Sequence, residues 1–313
     1  MPEESKSKQG KPKGGDRMSS LSDTLLIRIL SFLPSKTSVQ TSILSPRWRN
    51  LWKHLSVLNL SDEDFIQFNS EPFKNFRRFF YFVNSIIFVL KLSQVQNVRL
   101  SCTKSFTGDT MCRASFNAWM ISVIGPSIKE LDLTLFTLDG YCCRLPVNLS
   151  VCTNLVSLSL KGALCFELSD AKSSSLPSLK KLRLDISPPI NEPSLSVFYR
   201  SISPMTVASL NDFFHACPCL ETLDLYFSLE DYDRICVPAL CLPFSLKRLK
   251  IVVNNSDKTQ VLLLDNLSIS DAGKLQKASL YASNASPSTL SKLLHALSGI
   301  KHININKGLT LFT

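Results

Sequence analysis

The feature that most constrains this chain is a short apolar spacing, L-x-x-L-x-L, that returns from Leu55 to Ile305. It reads Leu55-Leu58-Leu60, Val95-Val98-Leu100, Ile128-Leu131-Leu133, Leu155-Leu158-Leu160 and Leu179-Leu182-Leu184, then Leu220-Leu223-Leu225, Leu246-Leu249-Ile251, Leu275-Ala278-Leu280 and Ile300-Ile303-Ile305. First positions advance by 27 and 24 residues after Ile128, and by 26, 29 and 25 after Leu220. Alternation of this kind specifies a strand whose leucines turn inward and whose intervening residues turn outward. A period in the range of about 20–29 residues makes each copy one unit of a stack, because no single copy can cover its own apolar side. The expected fold class is therefore an α/β repeat, a short-arc solenoid with its strands on the concave face. Segments with helical spacing, Ala208–Cys217 and Pro287–Leu297, would form its outer layer.

Motif and period together resemble leucine-rich repeats. Two steps are long. Leu55 to Val95 spans 40 residues and holds an expected buried helix over Phe76–Leu92, and Leu179 to Leu220 spans 41 and holds an irregular Pro188–Pro204 stretch. Such departures map to surface loops, which either carry binding specificity or are ordinary insertions. Leu309–Thr313 ends the sequence on apolar residues, whereas solenoid ends call for a polar cap, so this end is expected either to be covered or to be a truncation.

Composition sets the class. With 44% hydrophobic and 19% charged residues, the sequence suits a folded chain. A net charge of +10 favours acidic partners. Residues 1–15, with Lys6, Lys8, Lys11 and Lys13 among Ser, Gly, Pro and Gln, read as a disordered basic tail without an apolar signal region. The uncharged run Phe79–Leu90 falls well short of the ~20 residues a spanning helix needs, so no membrane association is expected. The cysteines, Cys102 to Cys241, fit free, mostly buried thiols of a reducing compartment, nucleus and/or cytoplasm. Neither Cys142-Cys143 nor Cys217-Pro218-Cys219 has zinc-site spacing, and no metal or cofactor is expected.

Residues 16–54 form a separate pattern. Leu21, Leu25, Leu26, Ile29, Leu30 and Leu33 share one broad helical face, Ser22 or Asp23 supplies the N-cap, and Pro34 closes the segment. A second short helix is expected through Val39–Leu44. A third restarts at Ser45-Pro46 and stacks Trp48 on Trp52 four residues later. So small a core is marginal alone, and the module should lean on a partner, on residues 55–313, or on both. Periodicity leaves open that these helices simply cap the repeats.

The stretch Asp16 to Leu60 closely resembles the F-box of plant F-box/leucine-rich-repeat proteins. The resemblance rests on Leu21, Leu25, the string Ile29-Leu30-Ser31-Phe32-Leu33-Pro34, Val39, Ser42, Leu44-Ser45, Arg47-Trp48-Arg49 and Leu51-Trp52. It implies a three-helix F-box-like module that docks a Skp-type adaptor and, through it, a cullin of a ubiquitin ligase. Leu21, Ser22, Leu25, Ile29 and Leu33 would make that contact, with Trp48 lining or supporting it. Where the family carries proline after the first leucine, this chain has Ser22. Serine still caps the helix, but the apolar contact is lost, so weaker docking is expected.

On the repeats, residues flanking the inner leucines face outward. Lys181, Arg183, Arg248, Lys250 and Lys277 make the later strands basic, with Tyr226 and Tyr281 as flat anchors. This stripe is the expected target-binding surface, suited to an acidic or phosphorylated protein segment. Nucleic acid is the competing polyanion, but Glu130, Asp132, Asp185 and Asp224 interrupt the face and argue against it. The sequence holds no nucleophile elbow, phosphate-cradling glycine loop, dinucleotide fingerprint or metal-spaced histidine pair, so the expected role is a non-catalytic adaptor. Asp62–Asp64 and Glu230-Asp231 read as solvated loop carboxylates. A scaffold without ubiquitin transfer remains a separate reading.

Overall fold

The computed structural model describes residues 18, 20–107, 109–138, 143–145, 149–165, 176–185, 211, 213–228, 241–254, 274–282, 291, 295 and 300–306. The basic tail, the Pro188–Pro204 stretch, Glu230-Asp231 and Leu309–Thr313 lie outside them.

The recurring spacing becomes strands. Among the described residues, β1 (Val57–Ser61), β2 (Asn97–Cys102), β3 (Glu130–Leu135), β5 (Ser157–Gly162), β7 (Lys181–Asp185), β8 (Thr222–Ser228), β9 (Arg248–Asn254), β10 (Lys277–Ala282) and β11 (His302–Asn306) form one sheet in that order, every pair parallel. Register follows the motif: Leu58, Val98, Leu131, Leu158, Leu182, Leu223, Leu249, Ala278 and Ile303 stand opposite one another. The first motif residue of each copy is also buried, in the turn that precedes the strand. Just after it, one carbonyl of the previous copy accepts two successive N–H groups. Gln96 takes Lys129 and Glu130, Lys129 takes Val156 and Ser157, and Glu221 takes Lys247 and Arg248. That shared acceptor holds the register from copy to copy. A two-stranded parallel pair, β4 (Cys143–Arg144) and β6 (Leu164–Cys165), stands apart.

Gly162 closes β5 at φ +88°, where an added Cβ would meet the Leu135 carbonyl oxygen at 2.2 Å. Only glycine fits both the conformation and the approach.

One apolar core runs beneath the sheet from Leu58 to Ile300. In its first long gap, the expected Phe76–Leu92 helix begins and ends earlier, as α3 (Pro72–Val89), because Pro72 starts it at N1. Phe76, Phe79, Val83 and Ile86 are its buried stripe. The motif does not announce α4 (Thr110–Val123), although Asp109 caps it through the Cys112 N–H at 2.8 Å and its buried positions recur at helical spacing. Asn84, which interrupts the apolar run, accepts the Trp119 indole N–H at 2.9 Å and ties α3 to α4. In the second long gap only 211 and 213–215 are helical among the described residues, with Phe213 and Phe214 buried, and in Pro287–Leu297 only 291 and 295. No described helix is long and apolar enough to cross a membrane.

Asp62 departs from the expected solvated loop. It is fully buried: Oδ1 accepts the Thr103 N–H at 2.9 Å, and Oδ2 accepts the N–H groups of Lys104 and Ser105 at 2.9 and 2.8 Å and the Ser105 hydroxyl at 2.9 Å. A buried carboxylate is tolerable only when so satisfied.

Candidate functional site

The N-terminal module starts at α1 (Asp23–Leu30). Ser22 is its N-cap, accepting the Leu25 N–H at 3.4 Å. Asp23 instead pairs with Arg47 at 2.7 Å, and Arg47 also donates to the Leu21 carbonyl, fastening the helix start to the third segment. The helix stops at Leu30 rather than Leu33, because the backbone tightens into 3₁₀ turns at Phe32 and Leu33 before Pro34. Pro34 then opens α2 (Ser35–Gln40) as its N-cap, so the second helix starts earlier than expected and continues as a 3₁₀ turn over Thr41–Ile43. The third segment, Trp48–His54, is also 3₁₀. At three residues per turn Trp48 and Leu51 share the buried side, replacing the expected stack of Trp48 on Trp52, which is half-buried.

This geometry divides the expected face of α1 in two. Leu26 and Leu30 point inward and, with Trp48, Leu51 and Leu55, make the small core; Leu21 and Leu33 are half-buried against it. Leu25 and Ile29 lie on the outer stripe, 49% and 38% exposed. Of the six candidate docking residues, then, two are surface apolar groups, Ser22 is a cap, two are half-buried, and Trp48 is core. Four more apolar side chains of the module are exposed that were not among the expected docking residues, Met18 (45%), Phe32 (75%), Ile43 (87%) and Leu44 (64%). Phe32 and Leu44 stood within the quoted motif; the 3₁₀ turns that rotate them outward left no periodic signal.

The module leans on the sheet, as its size requires. Ser35 Oγ accepts the Asn59 N–H of β1 at 2.9 Å, and the buried Ser38 hydroxyl donates to the Leu30 carbonyl at 3.0 Å. Lys36 donates to the Asp64 carbonyl with its ammonium 4.5 Å from the Phe65 ring centroid.

A second surface is the sheet face turned away from α3 and α4. Its early strands neutralise themselves: Arg99 pairs with Asp132 at 3.3 Å, and Asn97 donates to Glu130 at 3.0 Å. The later strands gather four of the seven candidate target-binding residues. The Arg183 guanidinium lies 4.7 Å from the Tyr226 ring centroid. The Lys250 ammonium lies 5.0 Å from that ring and 5.4 Å from Tyr281, and donates to the Tyr226 phenol oxygen at 2.9 Å. Lys181, Arg248 and Lys277 lie exposed in one row beside this cluster. Between them stands half-buried Asp224, whose carboxyl pKa is raised by burial against the lowering pull of Lys250, Arg183 and Arg248. Among the described residues no group of three or more His, Cys, Asp or Glu side chains is placed to hold a metal ion.

Comparison with known proteins fits both parts. The F-box domain family matches residues 18–60, ending within β1. An F-box/FBD/LRR-repeat protein of Arabidopsis thaliana is 33% identical over 223 residues, covering 71% of this chain and 44% of the relative. The chain belongs to the plant F-box/leucine-rich-repeat family. F-box/LRR-repeat protein 13 of the same plant is 30% identical over 73% of this chain and 46% of its own length, and an FBD-associated F-box protein is 29% identical over 70% and 40%. The chain thus spans less than half the length of these relatives. In the matched F-box, Leu25 and Ile29 are exposed on the outer stripe of α1.

Proposed function

We propose that this protein is the substrate-recognition adaptor of a Skp–cullin–F-box type ubiquitin ligase. It is a non-catalytic subunit, working where such complexes work, in the nucleus and/or cytoplasm. Residues 16–54 dock a Skp-type adaptor, and residues 55–313, as a leucine-rich-repeat solenoid with its strands on the concave face, capture the target protein. The observation that carries this reading is the outward stripe of Leu25 and Ile29, apolar side chains exposed on a helix whose other stripe is fully buried. Holding a target lysine near a partner enzyme raises its effective concentration, and that is the whole of the chain's contribution to catalysis.

Co-purification with a Skp-type adaptor and cullin tests it, comparing wild type with Leu25→Asp and Ile29→Asp. Both positions are too exposed to hold the fold, so recovery lost in each variant, with unfolding midpoints unchanged, is the expected result. Failure of the wild type to recover the adaptor would overturn the reading and leave a repeat-based binding protein.

A further inference from the structure

On the reading that the open sheet face captures a target, we propose that its first row is a site for a phosphorylated segment of that target. Parallel register sorts the face into rows. The row at the first strand position runs Ser157, Lys181, Thr222, Arg248, Lys277 and His302, across β5, β7, β8, β9, β10 and β11. Over these six strands it carries three cations and no carboxylate; on β3 the row continues to Glu130, which accepts from the Asn97 amide. Lys181, Arg248 and Lys277 are exposed, and none of their side chains has a hydrogen-bond or ion-pair partner among the described residues.

The next row is different. Arg183 and Lys250 lie against the Tyr226 ring, Lys250 is also bonded to its phenol, and Asp224 stands between the two cations in register. Its charge is largely satisfied within the protein. The first row is therefore where unspent positive charge lies.

Thr222 is its centre. The Thr222 Oγ1 is out of solvent contact and has no hydrogen-bond partner among the described residues. Lys181 and Arg248 flank it on the adjacent strands, each about 4.8 Å across the sheet. An anion held above the strand between these two long side chains gives the hydroxyl an acceptor. An ammonium, a guanidinium and a hydroxyl match the three terminal oxygens and near-double charge of a phosphomonoester. A carboxylate has two oxygens and one charge, and a single arginine fork already meets it. A nucleic acid, with a phosphate at every step, would have to lie across Asp185 and Asp224, and farther along the face across Glu130 and Asp132.

The test is fluorescence anisotropy on the full chain. The probes are a fluorescein-labelled peptide pool with a central phosphoserine and degenerate flanks, the same pool with serine, and a single-stranded oligonucleotide. Wild type is expected to bind the phosphoserine pool about ten-fold more tightly than the serine pool. Lys181→Gln with Arg248→Gln should erase that preference, and the isosteric Thr222→Val should weaken phosphopeptide binding about five-fold. Arg99→Gln, on the internally paired strands, should leave it unchanged. Thermal midpoints verify that each variant is folded. Equal binding of the two pools, a preference that survives the double variant, or no effect of Thr222→Val overturns the site. Tighter binding of the oligonucleotide with a steep salt dependence also overturns it, in favour of a polyanion track. Adaptor recovery is measured on the same preparations. Its loss with the phosphoserine preference intact rejects the ligase reading alone, and the converse rejects this site alone.

Discussion

Replacing Asp62 by alanine tests how the first repeats are held together. The carboxylate accepts three backbone N–H groups and one hydroxyl, all at 2.8–2.9 Å, and is fully buried. Those donors belong to Thr103–Ser105, the loop after β2, and that loop delivers Phe106 into the core. There Phe106 meets Phe76 edge-on at 5.6 Å and Phe116 at 6.4 Å. Each buried donor left without a partner costs about 1–3 kcal/mol, and water entering the small space vacated restores part of it, so the loss is about 4 kcal/mol. Against a total stability of about 5–15 kcal/mol that is a large fraction, equivalent to roughly 10 °C in unfolding midpoint for a chain of this size. Asp62→Asn should recover little, because its amide group turns donors toward donors. Glu63→Ala is the control: among the described residues its carboxylate accepts only the exposed Thr103 hydroxyl, at 3.2 Å, and its loss should stay within about 0.5 kcal/mol. Scanning calorimetry gives the midpoints, and amide hydrogen exchange at 103–106 shows whether the loop loosens first. If Asp62→Ala shifts the midpoint no more than Glu63→Ala does, the carboxylate is not what anchors the loop, and the reasoning fails.

Gly162→Ala should destabilise by about 2–3 kcal/mol, read by chemical denaturation, because φ +88° and the 2.2 Å approach to Leu135 both oppose a Cβ; an unchanged midpoint would show that the end of β5 relaxes freely. Cys217, buried and with its thiol pushed up to about 12, should resist maleimide at pH 8 while exposed Cys219, two residues on, is labelled, as mass spectrometry of timed digests will show; equal labelling rates would refute the assigned burial. Asp224→Asn should make the protein somewhat more stable at neutral pH. A raised carboxyl pKa means that the folded state binds the proton more tightly than the unfolded one. Asp224 therefore favours folding below its unfolded value, near 3.8, and that contribution is lost as pH rises through the folded value. The difference between variant and wild type should vanish at the acidic end of that window; a difference that grows on acidification contradicts the sign.

By itself the sequence determined the strands. Alternating leucines leave a strand no choice of face, so nine motif positions became nine strands in matching register, and the outward residues on each could be read directly. It also narrowed the N-cap to Ser22 or Asp23, and the fold settled it on Ser22 by pairing Asp23 with Arg47. Tertiary structure decided what periodicity cannot encode. Leu25 and Leu26 lie next to each other in the chain with the same hydrophobicity, and only packing on Trp48 and Leu51 turns one inward and leaves the other exposed. The 3₁₀ turns that present Phe32, Ile43 and Leu44 have too few residues to show a period, and they pair Trp48 with Leu51 in place of Trp52. Asp62 looked like any loop carboxylate, since its donors stand some forty residues on in the sequence. Thr222 gave no sign at all. Its hydroxyl matters only because parallel pairing sets Lys181 on one side of it and Arg248 on the other, a neighbourhood that exists only once the strands are side by side.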